Sequence, residues 1–235
     1  MIRAVPDSTQ PPLPAVQQSN TEDAPLEEAQ IVEKWDEMSL PDNVLRGIFS
    51  YGYEDPSPIQ KRAICPMMTN RDLIAQAQSG TGKTATFSIG SMSRIKLASN
   101  QVQVLCLSPT RELAQQTADV YKGIGEFLTG LKVALLVGGD SVDDNIRTLK
   151  RDTPHVAIGT PGRVFDMIRR RALVTRHVQT FILDEADEML SHGFKEQVQD
   201  IFEQLPEKVQ TCIFSATMPS YVFDVTSKFM NNPIQ

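Results

Sequence analysis

The sequence predicts an α/β fold in which a mostly parallel sheet carries helices on both faces. Short apolar runs alternate with stretches of helical periodicity along most of the 235 residues. The runs lack the polar alternation of a strand with one wet face, so we expect them to be buried on both faces. In addition, a glycine-rich loop that ends in Gly82, Lys83 and Thr84 follows the first run and precedes a helix, which is typical of a phosphate-binding loop.

The first 34 residues predict a flexible, acidic tail rich in proline and glutamine. Six acidic and two basic residues give this tail a net charge of −4, which leaves −2 of the chain's −6 for residues 35–235. We expect residues 35–235 to form one domain, because this length suffices for a single large core. A nearly neutral domain can still carry a basic groove, so the net charge does not exclude binding to nucleic acid. A partner-docking segment is the alternative for the tail.

The predicted elements follow one another in a repeated strand–helix order. Two helices come first, at 40–50 and 58–69. The predicted strands are 73–77, 102–108, 132–137, 155–159, 181–184 and 211–215. The predicted helices between them are 84–98, 111–128, 143–150, 164–171 and 195–205. Ligands of such open parallel sheets bind outside the carboxyl ends of the strands, where the polar motifs of this sequence fall.

Two classes of protein do not fit the sequence. No apolar run approaches the ~20 residues of a membrane-spanning helix, and the amino terminus lacks a basic segment followed by an apolar one, so we expect a soluble, non-secreted chain without membrane partners. The three cysteines, Cys65, Cys106 and Cys212, are not in Cys-x-x-Cys spacing. They predict reduced, mostly buried thiols rather than a metal site.

The loop at 77–84 predicts a site for a nucleoside triphosphate. Its glycines allow backbone N–H groups to turn toward phosphate, Lys83 neutralises charge on the β- and γ-phosphates, and the Thr84 hydroxyl reaches Mg²⁺. Ala77 stands where the strict pattern has glycine. A glycine- and serine-rich surface loop is the alternative. The residues predicted to bind the nucleotide here are Gln78, Ser79, Gly80, Thr81, Gly82, Lys83 and Thr84.

The strand at 181–183 runs into acidic residues, the second half of a triphosphatase site. Asp184 would hold Mg²⁺, and Glu185 would orient or deprotonate the attacking water. An exposed acidic turn is the alternative. The small residues Ser215, Ala216 and Thr217 follow another buried strand. Three small residues alone indicate a functional site only weakly, and their position just beyond the strand strengthens that interpretation.

Upstream of the loop, Gln60 and Tyr53 are candidates for binding adenine. A glutamine amide can accept from N6 and donate to N7 of adenine, and a tyrosine ring offers a stacking face. The alternative is a helix that starts at the prolines Pro56 and Pro58, with Gln60 on the surface.

The ordered set of motifs resembles the DEAD-box ATP-dependent RNA helicase family. The first motif ends at Gln60, and the others occupy 77–84, 109–114, 138–139, 160–163, 184–187 and 215–217. Together they cover a region that runs from about Trp35 to the end of the chain. Stretches 75–87 and 159–166 are similar to the eukaryotic translation initiation factor 4A branch, which also includes a nuclear relative. Trp35 and Tyr53 each stand where the family usually has phenylalanine.

The resemblance implies a three-layer, RecA-like P-loop NTPase fold for residues 35–235, with ATP and Mg²⁺ as cofactors. Lys83, Asp184 and Glu185 would be catalytic, with Thr84 and Asp184 at the metal. It further implies that Asp187, Ser215 and Thr217 couple the nucleotide to RNA. The RNA backbone would lie against Thr110, Arg111, Gly139, Thr160 and Arg163, in sequence-tolerant contacts.

The family joins two such domains, so we expect a second, C-terminal helicase domain to be missing from this chain. Without its arginine finger the fragment should bind ATP weakly, hydrolyse it very slowly and not unwind RNA. Further expectations from the resemblance are scaffold proteins of translation initiation as partners and a cytoplasmic location, with a nuclear one as the alternative. A DNA translocase and a nucleotide-gated RNA clamp or scaffold in messenger RNA processing remain alternative functions. Arg169, Arg170 and Arg171 are interpreted as the solvated end of a helix rather than an RNA contact.

Overall fold

The computed structural model describes residues 31–191 and 193–235. Its six strands are β1 (Leu73–Gln76), β2 (Val104–Leu107), β3 (Val133–Leu136), β4 (Val156–Gly159), β5 (Thr180–Leu183) and β6 (Gln210–Ser215). All described pairings between these strands are parallel, in the order β1-β6-β5-β2-β4-β3. Each predicted strand is present within two residues of its predicted ends, and the predicted fold class is confirmed.

Helices precede and connect these strands. They are α1 (Asp42–Ser50), α2 (Pro58–Met68), α3 (Lys83–Met92), α4 (Arg111–Ile124), α5 (Val142–Arg151), α6 (Pro161–Arg169), α7 (Ala186–Ser191), α8 (Lys195–Phe202) and α9 (Ser220–Phe229). Short 3₁₀ helices occupy Trp35–Met38 and Gly125–Phe127. The first 3₁₀ helix, α7 and α9 were not predicted, since each is too short or too mixed in polarity for a clear period. None of the described helices is long and apolar enough to cross a membrane.

The predicted helix 84–98 is too long at its carboxyl end, because α3 stops at Met92. The hydroxyl of Ser93 donates to the carbonyl of Ile89, and single turns follow. Arg94 lies beyond the end of α3, and its guanidinium donates to the carbonyl of Met67 and to the side-chain oxygen of Asn70. Ile95 and Leu97 pack against the core from these turns. Their spacing in the sequence resembles the apolar face of a longer helix, which is why the predicted helix extends too far.

Two apolar cores cover the two faces of the sheet, which gives the three layers. In one, Phe87 of α3 meets Phe214 of β6 edge to face, with ring centroids 5.1 Å apart. In the other, Phe202 of α8 stacks on Phe229 of α9 at 4.2 Å. Cys106 and Cys212 are buried free thiols within the strands, as predicted.

Both ends of the described chain are held by the domain. The N–H of Val32 donates to the carbonyl of Lys61, whose ammonium pairs with Glu33. Residues 31–34 therefore lie against α2, and the tail prediction for residues 1–30 falls outside the described part of the chain. At the other end, Ile234 pairs in parallel with Leu73 at the edge of the sheet.

Candidate functional site

The candidate residues gather at the carboxyl edge of the sheet. The loop at 77–82 leaves β1, Asp184 and Glu185 leave β5, and Ala216 and Thr217 leave β6. The strand order places β6 between β1 and β5, so three segments that are remote in sequence become neighbours. Parallel strands end at one edge, which is why the sequence could already predict this meeting.

The phosphate loop has the backbone that its glycines permit. Gly80 has φ 80° and Gly82 has φ 99°, both in the left-handed region that side chains disfavour. The hydroxyl of Thr81 donates to the carbonyl of Gln78 at 2.7 Å and closes the turn. Gln78 and Ser79 are exposed at its tip, and α3 begins directly after Gly82. The loop therefore offers the N-terminus of a ten-residue helix to an anion.

Gln60 is buried against this loop, with 2% of its surface exposed, so the alternative of a surface glutamine is wrong. Its Oε1 accepts from the N–H of Ser57 at 2.7 Å and caps α2. Its Nε2 lies 2.9 Å from where a Cβ on Gly82 would stand, and the Ser57 hydroxyl lies 3.1 Å from that point. The candidate adenine residue thus touches the phosphate loop, while adenine binding itself stays a prediction.

Tyr53 and Trp35, the two aromatic candidates upstream of Gln60, both contact the first core. The ring of Tyr53 lies 5.4 Å from the ring of Tyr51 and packs on the first core. Burial, and then the charge of Tyr51, raises the pKa of Tyr53. Trp35 is buried in the same core, and its Nε1 has no described partner. A stacking role for Tyr53 and a supporting role for Trp35 stay predictions.

Lys83, Asp184 and Glu185 form the centre of the site. The Lys83 ammonium lies 3.0 Å from each carboxylate oxygen of Glu185, and Lys83 is only 5% exposed. The Oδ1 of Asp184 accepts from the N–H of Glu185 at 3.1 Å. Glu185 has φ 50°, an unusual value for a residue with a side chain, at the turn from β5 into α7. The exposed acidic turn considered for these residues is wrong, since Asp184 is 4% exposed.

The carboxyl group of Asp184 is buried beside a second carboxylate and a cation. Burial, followed by the charge of Glu185, raises its pKa from 3.8 to about 7, although Lys83 acts to lower it. Bound cations reverse such a shift by stabilising the carboxylate. Among the described residues, no cluster of three histidine, cysteine or acidic side chains could hold a metal. Mg²⁺ needs no such cage, because it retains waters and binds one or two carboxylates together with phosphate. The oxygen donors of Asp184 and Thr84 therefore fit Mg²⁺.

Asp187, Ser215 and Thr217 form one hydrogen-bonded network between α7 and the end of β6. The Oδ2 of Asp187 accepts from both the N–H and the hydroxyl of Thr217, at 3.0 and 2.7 Å. The N–H of Asp187 donates to the Ser215 hydroxyl, which donates to the carbonyl of Thr217 at 2.7 Å. Burial acts to raise the pKa of Asp187, but the hydrogen bonds from Thr217 and Ser215 outweigh it and lower the pKa. The three predicted coupling residues are thus brought together.

A hollow of about 530 Å³ lies beside β2 and β4 and is lined by three of the predicted RNA contacts, Arg111, Thr160 and Arg163. The other two, Thr110 and Gly139, are adjacent in the chain to lining residues. Arg111 donates to the carbonyl of Gly138 at 2.9 Å and pairs with Asp140 at 2.8 Å. Gly139 has φ 89°, and a Cβ there would stand 2.6 Å from the Arg111 guanidinium. The backbone at this position therefore favours glycine, and a side chain there would also displace the end of Arg111.

Arg163 approaches the same loop from the other side. Its guanidinium donates to the carbonyl of Asp140 at 2.9 Å and to the side chain of Asn145. Thr160 precedes α6, and Thr110 caps α4 by accepting from the N–H of Leu113 at 3.2 Å. Two arginines and two helix N-termini thus converge on one hollow, which suits phosphate oxygens of a nucleic-acid backbone.

Sequence reasoning missed several residues of this hollow. Asp140 and Asn145 hold the two arginines, and Phe194 and Gln197 of the α8 region line its wall. Only the position of Asp140, directly after Gly139, offered a local signal. The others depend on the packing of α8 on α6, for which the sequence gives no spacing rule.

Comparisons with known proteins agree with this geometry. The family model described as DEAD/DEAH box helicase matches residues 57–225. The chain is 53% identical over 206 residues to eukaryotic initiation factor 4A of Caenorhabditis elegans, covering 88% of this chain and 51% of that protein. It is 54% identical over 205 residues to the ATP-dependent RNA helicase eIF4A of Scheffersomyces stipitis, covering 87% and 51%. The chain therefore spans about half the length of the curated relatives it matches.

Solved structures show the same fold. A DEAD box protein from the hyperthermophile Methanococcus jannaschii superposes with a TM-score of 0.80 at 36% identity, covering 87% of this chain and 55% of that one. A Saccharomyces cerevisiae Dbp5 variant bound to RNA and ADP-BeF₃ superposes with a TM-score of 0.79 at 35% identity, covering 87% and 52%. Residues 57–225, which the family model matches, include the phosphate loop, the 184–187 segment, Arg111 and Arg163. On these grounds the chain belongs to the DEAD/DEAH box helicase family.

Proposed function

We propose that this chain is the ATP- and RNA-binding domain of an ATP-dependent RNA helicase that acts in translation initiation. The observation that carries the proposal is the meeting of Lys83, Asp184 and Glu185 at the carboxyl edge of the sheet. A cation, a buried acid and a second acid lie within one hydrogen-bonded cluster there, beside a helix N-terminus that suits phosphate. The names of the initiation factor 4A relatives support the cellular process.

Each residue of the cluster has a role that its position supports. Lys83 would leave Glu185 to neutralise the β- and γ-phosphates, and the loop N–H groups would bind the phosphate oxygens. Glu185, once released, would be free to orient a water. Asp184 and Thr84 would hold Mg²⁺, which neutralises charge on the phosphates when it is bound. Asp187 and Thr217 would carry changes at the nucleotide to the end of β6.

RNA would bind along the hollow that contains Arg111 and Arg163. The described donors there are guanidinium groups and helix N-termini, which recognise phosphate rather than base edges. Binding should therefore tolerate any sequence and weaken with salt. A second helicase domain, scaffold proteins of translation initiation and a cytoplasmic location, with a nuclear one as the alternative, belong to the same proposal.

Nucleotide titration of the chain tests the proposal directly. A fluorescent ATP analogue with saturating Mg²⁺ should bind the wild type and lose at least about tenfold in affinity in Lys83→Ala, because the phosphates lose a charge-assisted partner. Lys122→Ala, which removes an exposed cation from α4, is the matched control. Equal affinity of all three proteins would contradict the proposal. In a longer protein with both domains, stronger stimulation of ATP turnover by DNA than by RNA would favour the translocase alternative.

A further inference from the structure

A dense group of exposed basic side chains lies at the end of the domain opposite the nucleotide and RNA sites. Helix α6 begins at the RNA hollow and runs nine residues, about 13 Å, toward the amino ends of the strands. Arg169, Arg170 and Arg171 stand at its far end and cannot contribute to that hollow. Lys150 and Arg151 end α5 at the same level. Arg176 follows in the loop that leads into β5. We call these six residues the basic rim.

The basic rim is poorly compensated by acids. Arg170 pairs with Asp166 at 2.8 Å, and Asp152 makes only a 3.9 Å contact, with Lys132. Among the described residues no ion pair is found for Lys150, Arg151 or Arg171. Arg176 donates through Nε to His177 at 3.0 Å, which leaves its terminal nitrogens for another acceptor. A chain of net charge −6 thus concentrates cations on one face.

Arg176 of the basic rim lines a hollow of about 190 Å³ whose wall is partly aliphatic and partly polar. Leu149 comes from the end of α5, and Ala172 and Val174 come from the loop after α6. Val174 is 48% exposed and is accessible to a ligand in this hollow. The hydroxyl of Thr175 donates to the carbonyl of Gln204 at 2.5 Å and fixes the loop. The basic character ends on that side, where Glu203 and Glu207 flank Gln204.

We propose that this face binds an acidic segment of a partner protein, with one aliphatic side chain of that segment anchored in the hollow. The volume accommodates a side chain of leucine size, and the surrounding cations complement carboxylates on either side of it. Nucleic acid is the less favoured ligand, because His177 is the single aromatic ring among the described residues that line the hollow, whereas stacked bases need successive aromatic platforms. Favourable interaction with helix dipoles explains the cations that end α5 and α6, but it explains neither Arg176 nor the exposed Val174.

The test uses a labelled peptide of aspartate and glutamate around a single central leucine, measured by fluorescence anisotropy at low salt. The wild-type chain should bind it saturably. The combined variant Arg151→Gln, Arg171→Gln and Arg176→Gln should weaken binding by about tenfold, as expected for the loss of three exposed charge contacts. The control variant Lys122→Gln, Lys208→Gln and Lys228→Gln changes the net charge equally on other surfaces and should retain the wild-type affinity.

Two further measurements locate the contact. Val174→Ser, and separately the peptide with serine in place of leucine, should each weaken binding about threefold or more. Amide signals of Ala172 and Val174 should shift in NMR spectra on addition of the peptide. No saturable binding, or equal binding by the basic-rim and control variants, would overturn the proposal. So would a larger loss of single-stranded RNA affinity in the basic-rim variant than in the control, since that result would assign the face to nucleic acid. None of these outcomes depends on nucleotide binding.

Discussion

The Lys83 ammonium lies 3.0 Å from both carboxylate oxygens of Glu185, a residue 102 positions later in the chain. The contact joins the two halves of the proposed nucleotide site. It also occupies the groups that the proposed function requires for phosphate and for water. Under the proposed function, triphosphate would therefore compete with Glu185 for Lys83.

Glu185→Gln should bind nucleotide about two- to fivefold more tightly than the wild type. The substitution removes the negative charge that competes for Lys83, and a partly exposed ion pair contributes up to about 1 kcal/mol. Titration with a fluorescent ATP analogue measures the change. In a protein with both helicase domains the same substitution should strongly depress ATP turnover. Weaker nucleotide binding by the variant would show that the Lys83–Glu185 pair does not compete with phosphate.

Asp184→Asn should stabilise the free protein increasingly as pH rises. The folded-state pKa of Asp184 is raised to about 7, so its favourable contribution is complete below about pH 4 and is lost as pH rises through 7. Asparagine preserves an oxygen for the Glu185 N–H and cannot ionise. We expect a gain of roughly 1–4 kcal/mol at pH 8 and little gain at pH 4. Denaturant unfolding at both values of pH measures this difference.

The same variant separates stability from ligand binding. Stabilisation of the wild type by Mg²⁺ and nucleotide should disappear in Asp184→Asn, because the neutral amide is a poorer ligand for a hard cation. A gain in stability independent of pH would contradict the raised pKa.

Gly82→Ala should destabilise the domain more than Gly80→Ala. Both glycines have positive φ, so both substitutions carry a backbone cost of about 1–2 kcal/mol. A Cβ on Gly82 also meets Gln60 at 2.9 Å, whereas a Cβ on Gly80 meets nothing within 4 Å. The difference in unfolding free energy between the two variants therefore measures the contact with Gln60. Equal losses would show that Gln60 yields without cost.

Gly139→Ala should weaken RNA binding roughly three- to tenfold, the effect of losing about 1 kcal/mol of charge-assisted hydrogen bonding. The new Cβ would stand 2.6 Å from the Arg111 guanidinium and displace it. Gly138→Ala is a close control, because a Cβ there has no neighbour within 4 Å. Anisotropy with a labelled single-stranded RNA compares the two. A similar affinity for both variants would remove Arg111 from the RNA contact.

The sequence determined the architecture and the composition of the central site. Buried strands produce uninterrupted apolar runs, and glycines with positive φ cannot be replaced at low cost, so both leave local signals. Those signals identified each strand of the described residues, the phosphate loop and the acidic pair at 184–185. Local signals also placed the residues of the Asp187–Thr217 network at strand ends, where parallel topology brings them together.

Tertiary structure decided what these residues contact. The sequence was equally consistent with Gln60 on the surface and with Gln60 in the nucleotide site. The packing of α2 beside the phosphate loop buries Gln60. Asp140 and Asn145 hold the two arginines only because β3, β4 and α5 bring them there. The basic rim lies away from the RNA hollow because α6 spans the height of the sheet between them. Side-chain contacts of this kind arise between segments distant in the chain, and their geometry follows from packing rather than from any periodicity that one sequence displays.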